Sequence, residues 1–504
     1  MDSAVLTAAY EGFAMVFSWP YIVYPLAGTL LAMIFSASPG LNSSSLMALA
    51  IPLTYPWEPL PVVLIFGAFL GGATFMGSIT AILFNIPGKA SNSVTLLDGY
   101  PLTQQGKAKT AIGAAAAASA LGSTIGIIML IVLIPFMREA AIALGPPEYL
   151  MLAIWGLTTL AALCGNSMIK GLAAAGLGLQ LAFIGYDPRT AEPRFAAGID
   201  YLGDGLSLVP VLLGLFALAE VIDLIVSKRI TLSGKRTASE LHGSVSEGIR
   251  SVFSHFFLFL RSSAIGTVIG AIPGIGSSVA GFIAYGHASQ TARDNANFGH
   301  GDIRGVIAPE AANDAKDGGA LIPTLALGIP GGSGTAIFLG VMMLHGLVPG
   351  REMLTGNLSL VFALLWSLFL SNWLTSLLGL SLVSPMARLS TIRTGRILPL
   401  ILVLAAVGAI QYRGMVADLV CAVVFGVLGF LMKRYGWPRI PLVIAFTLAP
   451  LFEYNLHLTL QLQELGRIEF LSRPVVLILL ALTGLNLALP PFLGRLRAIR
   501  SVSR

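Results

Sequence analysis

Four Pro-Gly steps interrupt apolar runs of this chain, and small polar residues follow each of them. They are Ser38-Pro39-Gly40-Leu41-Asn42-Ser43-Ser44-Ser45, Asn85-Ile86-Pro87-Gly88-Lys89-Ala90-Ser91, Ile272-Pro273-Gly274-Ile275-Gly276-Ser277-Ser278 and Gly328-Ile329-Pro330-Gly331-Gly332-Ser333-Gly334-Thr335. Proline removes a backbone donor, glycine permits positive φ, and Ser, Asn or Thr can cap the half-helix that restarts beyond. Such a restart presents free N–H groups and the positive end of a helix dipole, which suits a carboxylate. The candidate anion ligands are therefore Asn42, Ser43, Ser44, Gly88, Lys89, Ser91, Gly274, Ser277, Ser278, Gly331, Ser333 and Thr335. The backbone carbonyls freed at Ser38, Asn85, Ile272, Leu327 and Gly328 would instead suit a cation such as Na⁺. For any single serine, capping its own helix explains the residue as well as ligand binding does.

Charged groups near the breaks add a second kind of chemistry. Lys89 stands among small residues, where its ammonium could pair with a bound carboxylate or replace a cation; the alternative is a lysine snorkelling to the membrane surface. Glu310 and Asp314 precede the fourth break, with Lys316 and Asp317 beside them. Lone charges inside a membrane are costly, so Asp314 and Lys316 are expected to pair with each other or with Glu310 if they enter it. Lys316 is expected in a water-facing loop, and Glu310 as a latch or proton carrier.

The elements that must position these groups are set by composition. Of 504 residues, 56% are apolar and 11% charged, and the mean hydropathy is +0.84. Ordinary soluble proteins carry about 25% charged residues, so too little polar surface exists here to cover a water-soluble fold. The expected class is an all-α polytopic membrane protein with about 12 segments. Net charge is +6, but the basic residues sit in short loops, where they orient a membrane protein rather than bind nucleic acid. No Lys or Arg precedes Lys89, so the charged start of a cleavable signal peptide is not expected. Cys164 and Cys421 lie in or beside apolar runs and read as packing residues. No phosphate-cradling Gly-x-x-x-x-Gly-Lys-Ser/Thr is present, which argues against ATP as this chain's energy source.

In lipid, a broken helix survives only where protein or a watery cavity covers the freed peptide groups. Paired breaks at matching places in two halves point to a transporter's binding site. The first and third breaks lie 273 − 39 = 234 residues apart, and the second and fourth 330 − 87 = 243. Asp98-Gly99-Tyr100-Pro101 finds an echo in His345-Gly346-Leu347-Val348-Pro349. Clusters at Lys89/Lys107/Lys109, Lys228 to Arg236, Arg388 to Arg396, Lys433 to Arg439 and Arg495 to Arg504 mark inside loops, and put the Lys89 loop and its counterpart after Pro330 on opposite sides. Two inverted-topology repeats with re-entrant or broken helices are therefore expected, at 1–227 and 251–471. A cytoplasmic connecting loop joins them at 228–250, and a terminal helix with a basic tail follows at 472–504.

Several long stretches resemble one family. Gly266-Thr-Val-Ile-Gly270-Ala-Ile-Pro273-Gly274, Gly305-Val-Ile-Ala-Pro309-Glu310-Ala-Ala-Asn313 and Gly318-Gly319-Ala-Leu-Ile-Pro323-Thr324-Leu-Ala-Leu-Gly328-Ile-Pro330-Gly331, with the Asp98 loop, resemble the large membrane subunit of the tripartite tricarboxylate transporters, the TctA type. The resemblance implies a secondary importer of a di- or tricarboxylate in the bacterial inner membrane. It also implies a small four-helix membrane subunit, a periplasmic substrate-binding protein and an ion gradient, Na⁺ or H⁺, with no other cofactor. Lys89, Asp314, Lys316, Arg351 and Met76 depart from the family's usual residues and bear on its ion sites and substrate.

Two rivals come from other classes. Re-entrant hairpins of two inverted halves can also build an anion channel. Tyr186-Asp187 and Gly299-His300-Gly301-Asp302 match the paired motifs of an intramembrane aspartyl protease, in which two carboxylates share a proton. Asp187 is however followed by Pro188-Arg189 at a helix exit, and Asp302 lies in a polar loop with Arg293, Asp294 and Arg304.

Overall fold

The computed structural model describes residues 3–37, 43–85, 90–163, 167–187, 190–227, 242–273, 276–382 and 398–487. The chain is almost wholly helical. Helices α1 (Ser3–Phe17) and α2 (Val23–Ala37) lead to the first break, after which α3 (Ser43–Thr54) runs on. Helices α4 (Pro59–Gly71) and α5 (Thr74–Phe84) approach the second break, and a 3-10 turn at Ala90–Ser93 leads from it into α6 (Leu96–Gln104). Then come α7 (Ala108–Ala143), α8 (Pro146–Leu163), α9 (Met168–Ala182) and a small antiparallel pair, β1 (Gly185–Tyr186) with β2 (Pro193–Arg194). After the short α10 (Asp200–Gly203), α11 (Leu208–Leu212) and α12 (Ala219–Ser227) flank a π-helical stretch at Leu213–Leu218.

The second part opens with α13 (Val245–Ser254), bent by 80° from α14 (Phe256–Gly270), and α15 (Gly276–Thr291) follows the third break. Helix α16 (Arg304–Leu327) carries Glu310 and Asp314 to the fourth break, and α17 (Ser333–Leu344) restarts beyond it. The remaining helices are α18 (Arg351–Thr355), α19 (Leu358–Ser381), α20 (Leu398–Arg413), α21 (Val416–Arg434), α22 (Arg439–Glu464) and α23 (Pro474–Leu487).

Six described helical runs are long and apolar enough to cross a membrane, or seven if the bent α13–α14 pair is one span. The protein is a multi-pass membrane protein. The expected dozen segments do not all reach that length, because the breaks and short loops cut apolar stretches into pieces such as α2, α3, α9 and α17. A perpendicular span needs about 20 residues, and these pieces have 10–17. Two further expectations are corrected. The Asp98-Gly99-Tyr100-Pro101 segment is not a loop but part of α6, and the connecting loop expected to run to 250 yields to helix at Val245.

Packing is set by where apolar and small residues fall. The most apolar window of Pro59–Phe84 is 94% buried, whereas that of Val416–Arg434 is 39% buried and exposes Val420, Val423, Val424 and Val427. The first therefore forms the interior and the second suits contact with lipid. Contacts cross between the two parts of the chain throughout. Helix α1 packs on α19 and α13 on α7; α4 packs on α19 and α16 on α7; α8 and α9 pack on α22, and α21 packs on the 213–218 stretch and α12. Glycines allow the closest of these approaches. A Cβ on Gly122 of α7 would stand 2.5 Å from the Ala311 carbonyl oxygen of α16, and one on Gly126 would collide with Ala315.

Candidate functional site

The described residues that flank the four breaks are joined in a closed ring of contacts. Ser36 at the end of α2 donates to the Ala73 carbonyl at 2.5 Å, and Asn92 beyond the second break donates to the adjacent Thr74 carbonyl at 3.2 Å. The first and second breaks are thereby tied to one point of the Pro59–Phe84 run. The 90–93 turn packs on α15, where Gly281 lies against the Ser91 carbonyl, so the second break adjoins the third. Gly331 lies against the Gly270 carbonyl, so the third adjoins the fourth. Ser44 Oγ donates to Ser333 Oγ at 3.2 Å, which joins the fourth to the first through the N-terminal turns of α3 and α17.

Within this ring the expected ligands take different places. Ser44 is buried and Ser43 half-buried at the α3 start, Ser91 is buried, and Gly331 is buried with Ser333 half-buried beside it. Thr335 is spent on its own helix: its hydroxyl accepts the Gly332 N–H at 2.9 Å and donates to the Gly332 carbonyl. Asn85 and Gly328 end α5 and α16 in the same way, both left-handed (φ 57° and 69°), with N–H groups bonded to Ala81 and Thr324. Asn85 is exposed, Leu327 and Ile272 half-buried, and Gly328 buried against Pro349 and Leu451. Ser38, Asn42, Gly88, Lys89 and Gly274 lie outside the described residues, as do the side chains of Ser277 and Ser278.

The polar centre of the interior is Glu310, fully buried on α16. Its Oε2 accepts from Ser78 of α5 at 2.6 Å and from Ser119 of α7 at 3.3 Å, and its Oε1 accepts from Thr95 beyond the second break. Asn92 donates to Ser78 Oγ at 2.7 Å, which leaves the Ser78 proton for Glu310. Three hydroxyls surround the group, one from each of three elements. One side chain thus ties α16 to three elements of the first part of the chain. Lys316 departs from expectation: it is 4% exposed rather than in a loop, and it bonds the Asn313 carbonyl at 2.6 Å and Asp317 at 2.9 Å, not Asp314 or Glu310. The whole of 304–327 is one helix buried by its neighbours, and burial leaves the ammonium no water to reach.

A family model described as the tripartite tricarboxylate transporter TctA family matches residues 22–444. The chain belongs to that family. It is 30% identical over 479 residues, 95% of this chain and 94% of the relative, to an uncharacterised 52.8 kDa protein in the TAR-I ttuC' 3' region of Agrobacterium vitis. It is also 31% identical over 235 residues, 47% of this chain and 97% of the relative, to an uncharacterised protein in the TAR-II ttuC' 3' region of the same organism. No solved structure matches the chain.

Membership in a transporter family leaves two acidic groups of this TctA-family protein to explain. Asp187, Glu453 and His457 come close enough to hold a metal ion, but Arg194 already lies 2.5 Å from Glu453 and 3.3 Å from Asp187. The hydrogen bond that Arg194 donates to the Glu453 carboxylate holds the guanidinium above its ordinary pKa, and the group reads as an ion-pair clasp of the 185–194 hairpin onto α22. Asp302 belongs to a different group, bonded to Arg304 at 2.6 Å, and the same guanidinium holds the exposed Asp294 carboxyl below its usual range. The two aspartates of the protease motifs therefore serve separate arginines.

Asp98 is a residue whose role sequence reasoning missed. It is fully buried in the first turn of α6; Oδ1 accepts the N–H groups of Gly299, Gly301 and Asp302 at 2.8–2.9 Å, and Oδ2 accepts the Tyr285 hydroxyl at 2.9 Å. The glycine-rich 299–302 loop opposite is the signal, since successive glycines let N–H groups converge on one oxygen. Asp98→Ala should accelerate amide hydrogen exchange at Gly299, Gly301 and Asp302 about 100-fold, the effect of losing charge-assisted bonds worth about 3 kcal/mol. Exchange in the 185–194 hairpin should not change.

Proposed function

We propose that this chain is the large permease subunit of a three-component secondary transporter that imports a di- or tricarboxylate, citrate-like, across the bacterial inner membrane. A periplasmic binding protein delivers the substrate, a small four-helix membrane subunit completes the membrane part, and an ion gradient, Na⁺ in this reading, drives uptake. The N-terminus lies in the periplasm and the C-terminus in the cytoplasm. The observation that carries the reading is the ring of four breaks, closed at the Ser44–Ser333 junction where two half-helix N-termini meet. Facing N-termini supply N–H groups and positive dipole ends for an anion of more than one charge. The crossed packing of α1 on α19 with α13 on α7, and of α4 on α19 with α16 on α7, supports two inverted repeats that exchange partners. Ser43, Ser44, Ser91, Gly331 and Ser333 are the proposed substrate contacts.

The test is counterflow of labelled carboxylate in liposomes holding the chain, its small subunit and the loaded binding protein. Uptake of one acid among citrate, tartrate and other di- and tricarboxylates should saturate and be exchanged by unlabelled substrate. Ser44→Val and Ser333→Val should each lower apparent affinity about tenfold, as loss of a hydroxyl contact to a charged ligand requires. Non-saturating current without counterflow would replace the transporter with a channel.

A further inference from the structure

The three carboxylates of helix α16 share one face. Gly122 and Gly126 of α7 press on Ala311 and Ala315, while Gly266 and Gly270 of α14 press on Ala312 and Lys316. At 100° per residue the remaining face carries Glu310, Asn313, Asp314 and Asp317. Three carboxylates and one ammonium, Lys316, share this buried region.

Two of the three carboxylates are satisfied at least in part. Glu310 has its three hydroxyl donors, and Asp317 has Lys316. Asp314 is the least satisfied: it is 1% exposed, neither carboxylate oxygen makes a hydrogen bond of normal geometry, and only the nearby Lys316 charge and Ser119 hydroxyl favour it. Its neighbours are unpaired as well. Asn313, also 1% exposed, has both amide atoms unpaired, and Asp317 Oδ2 is buried and unpaired. Helix α7 supplies one more oxygen. The Gly122–Ala311 and Gly126–Ala315 contacts show that α7 and α16 run parallel, and Ser119 bonds Glu310. One turn on, Ser123 therefore comes level with Asp314; its hydroxyl is buried and unpaired too.

Burying one uncompensated carboxylate costs several kcal/mol, and unpaired hydroxyl and amide groups add to that. A single positive charge that accepts several oxygens removes both costs. A proton would occupy one oxygen and leave the others unpaired, whereas a metal cation draws on several oxygens at once, and the coupled-transporter reading supplies a monovalent one. We propose that Asp314, with oxygens of Asn313, Ser123 and Asp317, forms a sodium site between α16 and α7. The inference rests on the coupled-transporter reading and assigns its ion to side chains of α16 rather than to carbonyls at the breaks. Because Glu310 on the same face binds Ser78 and Thr95 around the second break, ion occupancy one turn away is mechanically joined to the ring.

The experiment is thermal unfolding of the purified full chain in nanodiscs, with NaCl, KCl or choline chloride at fixed pH and ionic strength. Sodium, and not potassium or choline, should raise the melting temperature saturably. Asp314→Asn should raise the half-saturating sodium concentration about tenfold or more, and Ser123→Ala about threefold, by loss of one ligand each. Asp302→Asn, outside the site, should leave it unchanged. A wild-type melting temperature that is the same in all three salts, or one raised equally by potassium, would overturn the proposal. So would unchanged sodium dependence in Ser123→Ala and Asp314→Asn; should the latter not fold, Ser123→Ala decides. Carboxylate counterflow that persists while sodium binding is absent sinks this site alone, whereas sodium binding without counterflow sinks the transport reading.

Discussion

Glu310→Ala should lower stability by about 3 kcal/mol and abolish carboxylate counterflow. The loss is larger than for an ordinary buried side chain because one carboxylate serves donors from three separate elements, Ser78, Thr95 and Ser119. Truncation leaves three hydroxyls facing an apolar gap. Ser119 can turn back to a carbonyl one turn away in its own helix, but Thr95 precedes α6, and Ser78 still has Asn92 donating into it and nowhere new to send its proton. Glu310→Gln separates the two effects. The amide keeps the volume and one acceptor while its NH₂ faces hydroxyl donors, so stability should fall by only about 1 kcal/mol. Counterflow should still drop at least about tenfold, since the second break would lose its fixed anchor on α16. Equal counterflow in wild type and Glu310→Gln, measured at matched protein density, would reduce Glu310 to a packing residue.

What the sequence disclosed and what it hid follow from the range of each interaction. The Pro-Gly breaks are local chemistry, legible because proline and glycine act on their own backbone, and the restarts at Ser43 and Ser333 follow from them. How their flanks are tied together was not legible, because the partners, Ser36 with Ala73 and Asn92 with Thr74, are long-range pairings that no periodicity encodes. Glu310 was legible as a charge in an apolar context. The continuity of α16 was not: Pro309, Pro323 and six charged or amide residues give 304–327 too little hydropathy to resemble a span, yet neighbours on every side keep it helical. That burial also explains the misplacement of Lys316, whose charge alone argued for water. The exchange of partners between halves lay beyond reach for the same reason, being a property of packing.

One packing signal does stand in the sequence, and hydropathy does not register it. Gly67-x-x-x-Gly71, Gly122-x-x-x-Gly126 and Gly266-x-x-x-Gly270 place small residues one turn apart on apolar helices, which lets backbones approach. All three pairs mark close crossings in the structure, on α19 for the first and on α16 for the other two. Gly122→Val is consequently expected to have the largest effect of any single substitution here. The new Cβ would stand 2.5 Å from the Ala311 carbonyl oxygen and 2.9 Å from its Cα, both backbone atoms that no rotamer change can move. Helices α7 and α16 would have to part, breaking the Ser119–Glu310 bond and separating Ser123 from Asp314 together. The destabilisation should be about 5 kcal/mol, enough to exhaust the stability of an average domain. Size-exclusion of the detergent-extracted variant should show loss of the monodisperse peak. Gly176→Ala, where an added Cβ meets nothing within 4 Å, should leave the peak intact. A monodisperse, wild-type-like Gly122→Val would mean that α7 and α16 do not touch at this point, and the register that sets Ser123 beside Asp314 would fall with it.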